Sequence, residues 1–198
     1  MNLTLNNHLN FKAILPKSKL QVQNKKTGEY IPATFYEIDC KDRFDCLEFK
    51  KLSSSWWYGE SLCNSVFGNY HSAMKNDYRM RHYEIKTDDN EILAICRTWQ
   101  VDKKTCDIEY LESKPHSNYR FAGQAILASI AKEELNRGCE KLTISSAVSS
   151  AYPFYERTCQ FRYEDECLEM NRQELEYFIQ RTEQKTKHKL EEIKNPIE

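Results

Sequence analysis

The chain has 198 residues, of which 40 % are hydrophobic and 30 % charged, with a formal net charge of -1. That length fits one domain, with at most a terminal appendage, and can bury a core without disulfide or metal staples. The balance excludes a disordered chain and a membrane-embedded one, and it argues against wholesale binding to nucleic acid or to an anionic membrane surface.

Residues 1–28 read as an irregular N-terminal arm. Asparagines interrupt the apolar stretch that a signal peptide needs, and no run approaches the roughly 18 apolar residues of a spanning helix. The expected location is cytoplasmic, with no membrane partner. Residues 30–40 are rich in β-formers and predict a strand with Pro32 near its start. Short helices are expected over 43–51 and 60–76, joined by Trp56, Trp57 and Tyr58. Strands 80–86 and 91–99 flank Thr87-Asp88-Asp89-Asn90, a good hairpin turn. A third strand follows at 106–113. Simple alternation puts Asp107, Glu109, Leu111 and Ser113 on one of its faces, and Ile108, Tyr110 and Glu112 on the other.

A loop then leads into a helix near Gln124, whose Ile126, Leu127, Ile130, Ala131 and Leu135 recur at helical spacing and which ends at Gly138. Residues 141–148 predict a strand, a short helix starts near Ser150, 161–171 form a last strand, and 173–182 a helix. The tail over 183–198 is highly charged and expected to be flexible. This order describes an α/β protein with a mixed, mostly antiparallel central sheet flanked by helices, an order that several folds share.

Eight cysteines, at 40, 46, 63, 96, 106, 139, 159 and 167, form no C-x-x-C pair, and the histidines do not cluster. A metal site needs closely spaced ligands, so none is expected; buried free thiols in a reducing compartment fit the pattern. Cys63 with His71 is a nucleophilic alternative that nothing nearby in the sequence supports.

Arg120-Phe121-Ala122-Gly123-Gln124-Ala125 sits between a strand and a helix. A helix N-terminus presents free amides and partial positive charge to a diphosphate, Gly123 allows close backbone approach, and Arg120 adds charge. Such turns also occur in proteins that bind nothing. This segment, however, resembles the coenzyme A signature of the GNAT superfamily, Gln/Arg-x-x-Gly-x-Gly/Ala. Upstream, Leu111-x-Ser113-x-Pro115 is similar to the family's Leu-x-Val-x-Pro strand end. Downstream, Ala151-Tyr152-Pro153-Phe154-Tyr155-Glu156-Arg157, followed by Phe161, is similar to its Ala-x-x-Phe-Tyr-Glu-Lys-x-Gly-Phe helix. The chain departs from the pattern in three places. Two extra residues separate Pro115 from Arg120, Val148 replaces a common Asn, and Cys159-Gln160 stands where the family has one Gly, implying a bulged helix exit.

The resemblance implies a GNAT-like acyltransferase domain over 29–182, with two central strands that splay apart. It implies acetyl-coenzyme A as acyl-donor substrate, no metal, and an amine acceptor that is a small molecule, a peptide or a protein. Pantetheine would bond to the backbone of Leu111 and Ser113. The diphosphate would bond to the amides of Phe121, Ala122, Gly123, Gln124 and Ala125, beside Arg120. Tyr155 would be the acid that protonates the departing thiolate. For the base, alternation ranks Glu109 ahead of Asp107, with water as the alternative. The acceptor site is expected over 53–79, a segment that holds Trp56, Trp57, Tyr58, Phe67, Tyr70 and His71; its aromatics are expected to fill the core beneath a helical layer, with clamping of a flat or apolar acceptor as the alternative. Two other readings stay open: a non-catalytic binding or regulatory relative, and a toxin-type enzyme acting on aminoacyl-tRNA, for which Arg79, Arg81 and His82 would supply local positive charge.

Overall fold

A computed structural model describes residues 14–38, 79–164, 166–186 and 191–192. The expected helices over 43–51 and 60–76, the acceptor segment up to residue 78, and the Cys63/His71 pair lie outside the described residues.

Among the described residues, ten strands and two α-helices follow the chain: β1 (Ile14–Asn24), β2 (Tyr30–Ile38), β3 (Met80–Thr87), β4 (Ile92–Gln100), β5 (Thr105–Ser113), β6 (Tyr119–Arg120), α1 (Ala122–Asn136), β7 (Lys141–Ile144), β8 (Arg162–Glu164), β9 (Cys167–Asn171), α2 (Arg172–Thr186) and β10 (Glu191–Glu192). They build one sheet in the order β10-β1-β2-β3-β4-β5-β7-β9-β8, with β6 added on β1. All pairings are antiparallel except β5 with β7. The architecture is the mixed, mostly antiparallel sheet with flanking helices that the element order predicts. No helix of the described residues is long and apolar enough to cross a membrane.

The N-terminal segment departs from expectation. Residues 14–24, read as irregular, are an edge-to-edge partner of β2. Ser18, Leu20 and Val22 turn inward, at 5 %, 2 % and 0 % exposure, while intervening polar residues face outward and dilute the apolar signal. The tail differs too: α2 continues to Thr186, and residues 191–192 pair with β1. The expected strand 161–171 is broken at Glu166, whose φ of 66° turns the chain between β8 and β9.

One layer of core lies between the sheet and α1, with α2 beside it. Every residue of α1 from Ala122 to Ala131 is buried. Cross-strand partners share a face, so Tyr83, Cys96 and Leu111 form a row beneath α1. The opposite face holds Tyr36, Glu84, Ile95 and Glu112 in one row, and Ile38, His82, Arg97 and Tyr110 in the next.

Candidate active site

β5 and β7 pair at three positions, Thr105 with Lys141, Cys106 with Leu142 and Asp107 with Thr143, and then separate. β5 runs on to Ser113, whereas β7 stops at Ile144, earlier than the expected residue 148. The gap between them is a wedge whose vertex is held by Asp107. One of its carboxylate oxygens accepts from the Thr143 hydroxyl at 2.7 Å and the Ser145 N–H at 3.1 Å, and the other from the Ser145 hydroxyl at 2.8 Å. At 6 % exposure, with both oxygens engaged, Asp107 clasps the two strands.

A β-bulge corrects the facing derived from alternation. Thr98 pairs with Ile108 but Arg97 with Tyr110, so Glu109 is an extra residue on β5. Beyond it the faces exchange. Leu111 and Ser113 lie on the α1 side with Cys106 and Ile108, while Asp107 shares the opposite face with Tyr110 and Glu112. Asp107 therefore does not share a face with Leu111 and Ser113, because one inserted residue reverses a period of two. Glu109 forms an ion pair with Arg97, Nε to Oε2 2.8 Å, and its side chain is 31 % exposed. Glu112 is half-buried, and burial pushes its carboxyl up to about 7; among the described residues it has no ion-pair partner.

The wide end of the wedge meets the N-terminus of α1. Phe121 adopts a left-handed backbone, φ 70°, an uncommon choice for a bulky residue. No side chain caps this helix, which leaves first-turn N–H groups available to a ligand. Residues Phe121 to Gln124 line a cavity of about 310 Å³ with Ser113 and Phe154. Gly123 is needed there by close approach: a Cβ on it would come 2.8 Å from Ser113 Oγ and 3.3 Å from the Phe154 ring. Gln124 is 5 % exposed and its Nε2 has no hydrogen-bond partner among the described residues. A buried donor without an acceptor is costly in an empty site and satisfied by a ligand oxygen. The tight glycine, the uncapped helix start and this orphaned amide fit the phosphate-bearing end of coenzyme A.

The other expected cofactor residues divide. Leu111 packs against the core on the α1 side, and Ala125, 1 % exposed, is part of the core. Arg120 is exposed, paired through β6 with Gln23 of β1, and does not line the cavity. Lys25, Lys114, His116, Tyr119 and Thr158 line it instead. Lys114 and Thr158 fill unspecified positions of the motif blocks, and the others lie outside them; Lys25 comes from the turn after β1, which sequence distance alone could not bring here.

Tyr155 sits on the α1 side of the wedge, 5 % exposed, between the rings of Phe154 and Phe161 at centroid distances of 5.2 and 6.0 Å. Burial, with smaller contributions from Cys96 and Cys159, raises its phenol well above the ordinary tyrosine range and keeps it protonated. The segment Phe154–Cys159 is π-helical and ends at Gln160 in a left-handed conformation, φ 71°, with the Phe161 N–H bonded to the Tyr155 carbonyl at 3.0 Å. The extra residue before Phe161 is absorbed as the bulged exit the sequence implies.

Arg79, Arg81 and His82 do not make a basic patch. His82 is 3 % exposed, and burial, then the Arg97 charge, lower its imidazole to about 3. Arg81 is ion-paired with Glu134 at 2.9 Å. Arg79 lies over the Trp99 ring.

No protein-family model matches the chain, and no curated protein matches it. Solved structures do. A GNAT-family protein from Desulfovibrio desulfuricans superposes with a TM-score of 0.57 at 14 % identity, over 70 % of this chain and 98 % of that one. The spermidine N-acetyltransferase of Vibrio cholerae, in complex with CoA and spermine, gives 0.54 at 11 %, over 72 % and 97 %. An aminoglycoside 6'-acetyltransferase type Ii gives 0.52 at 12 %, over 69 % and 96 %. With its parted central strands and its glycine-bearing turn into α1, the chain has the GNAT N-acetyltransferase fold.

Proposed function

We propose that this chain transfers an acyl group, with acetyl-coenzyme A the expected donor, to an amine. The wedge carries this reading: a strand edge from Ile108 to Ser113, roughly 17 Å long, runs without a β7 partner from the Asp107 clasp to the cavity at Gly123. An extended pantetheine arm fits along such an edge, bonded to the backbone of Leu111 and Ser113, with the diphosphate at the amides of Phe121 to Gln124, the Ala125 N–H being engaged by the Phe121 carbonyl at 2.8 Å. The thioester supplies an activated acyl carbonyl and a thiol leaving group.

An alkylamine is mostly protonated at neutral pH, so a proton must leave it before attack. Glu109 is placed for this task. It sits at the bulge, two residues from the vertex, partly exposed, with Arg97 holding one of its oxygens. Tyr155, uncharged and buried, donates to the departing sulfur. Asp107 ties the two strands together at the vertex from which they part. Holding both reactants in one wedge contributes through proximity. The spermidine and aminoglycoside enzymes that share the fold favour an amine acceptor, whether free or on a peptide or protein.

Calorimetric titration with acetyl-coenzyme A and free-thiol release against a panel of amines test the reading. Tyr155→Phe is expected to lower kcat by about a hundredfold without weakening donor binding. Glu109→Gln is expected to lower kcat and to be rescued by raising the pH. Absence of donor binding at millimolar concentration sinks the proposal, and turnover unchanged by Tyr155→Phe removes that residue from it. A scaffold that only binds coenzyme A would bind and release no thiol.

A further inference from the structure

The two extra residues between Pro115 and Arg120 change what borders the cavity. Residues 116–120 reach across to the turn between β1 and β2. Asn24 pairs with Tyr119 and Gln23 with Arg120, and the Lys25 N–H donates to the Asn118 carbonyl at 2.7 Å. The Lys25 ammonium donates to the Ser117 carbonyl at 2.6 Å. That turn is itself ordered: Asn24 Oδ1 accepts from the N–H groups of Lys26 and Thr27, and Gly28 takes a left-handed φ of 75°. Lys25 thereby lines the same cavity as Gly123 and Gln124.

Arg120, drawn into β6, leaves the wall. Lys114 lines the cavity, but its ammonium is 2.6 Å from the Glu91 carboxylate, which offsets its charge. Asp89, another acid of that hairpin, accepts from the Thr87 hydroxyl. Lys25 has no carboxylate partner among the described residues. An ammonium has three donors, and Ser117 uses one of Lys25's, leaving two for a ligand. In the same cavity, Gln124 Nε2 is buried and lacks an acceptor among the described residues. A cation and an orphaned amide lining one cavity both ask for oxygen-rich negative charge.

We propose that Lys25, on the turn between β1 and β2, supplies the cationic contact to a phosphate of coenzyme A, in the role that the signature motif gives to Arg120. This rests on the acyl-coenzyme A reading above and adds to it a residue far from the motif. The phosphate is either a diphosphate oxygen or the 3'-phosphate, and the test separates them.

Dissociation constants are measured by calorimetry on the full chain for coenzyme A, 3'-dephospho-coenzyme A and pantetheine, with the thermal midpoint recorded for each variant. Lys25→Ala is expected to weaken coenzyme A binding about tenfold, as loss of one charge-assisted hydrogen bond does. Lys25→Arg should retain most of the affinity, Arg120→Ala should stay within about twofold, and pantetheine binding should be unchanged by Lys25→Ala. If the loss disappears with the dephospho form, the contact is the 3'-phosphate; if it persists, the diphosphate. An unaffected Lys25→Ala, an equal loss in Arg120→Ala, or a loss that pantetheine shares, which marks loop anchoring, overturns the assignment. Failure of the unmodified chain to bind coenzyme A overturns the acyltransfer reading and this one with it, whereas binding that Lys25→Ala leaves intact overturns only this one.

Discussion

Glu112 is a side chain whose charge changes near neutral pH. Burial lifts its carboxyl from the ordinary 4.5 to about 7. Between those values the folded chain holds a proton that the unfolded chain has released. Stability from this group is therefore lost as pH rises from about 4.5 to about 7, the reverse of an ion-paired carboxylate. Glu112→Gln should be more stable than the parent at pH 8 and nearly equal to it at pH 4, as urea midpoints at the two pH values would register. The same substitution also checks the assignment of the base. Glu112 shares a face with Tyr110 and lies three residues beyond Glu109. A rate limb near pH 7 that persists in Glu109→Gln and vanishes in Glu112→Gln would move the proton acceptor to Glu112.

The elements meet at the β5–β7 vertex, where three paired positions decide how wide the wedge opens. Asp107 accepts three hydrogen bonds there from Thr143 and Ser145. Asp107→Ala leaves the buried Thr143 hydroxyl, and both donors of the exposed Ser145, without their acceptor and is expected to cost about 1–3 kcal/mol, read from denaturant unfolding. Asp107→Asn, which keeps one acceptor oxygen, should cost less. If both variants match the parent, the clasp is not what joins these strands. A one-residue slip in β5 had consequences out of proportion to its size. The bulge at Glu109 decides which carboxylates face which side, and nothing in the residues 105–113 announces it, since a bulge is set by partner strand and twist as much as by its own sequence.

Across the molecule, α1 is tied to the sheet by a charged cluster at its C-terminal end. Glu134, 1 % exposed, accepts from the Tyr83 hydroxyl at 2.8 Å and pairs with Arg81 at 2.9 Å and Arg137 at 3.2 Å. Arg137 reaches Glu37 of β2 at 2.7 Å, and Lys17 of β1 reaches Glu37 and Glu133 at 2.9 and 3.2 Å. The N-terminal strands thus bear on the helix that presents the cavity. Glu134→Ala leaves the Tyr83 hydroxyl and two guanidinium groups without this partner, and is expected to cost about 3–5 kcal/mol. Thermal unfolding measures it, and a loss below 1 kcal/mol would show that the cluster is dispensable.

Local pattern by itself determined β3, β4, β5, α1, β7 and α2 as elements, the hairpin at Thr87–Asn90, the buried run of α1 and the Gly123 turn, because each depends on neighbours within a few residues. The motif blocks also marked Tyr155, whose burial follows from its own aromatic neighbours. Only the tertiary structure decided the rest. It enrolled residues 14–24 as a strand, exchanged the faces of β5 beyond Glu109, closed Asp107 into a clasp, and put Lys25 where Arg120 was expected. Each of these turns on a partner far along the chain, ninety residues away for Lys25 and Ser117 by the separation of 92. A strand's register and a cavity's opposite wall are properties of the pair, and one segment's sequence does not contain its partner.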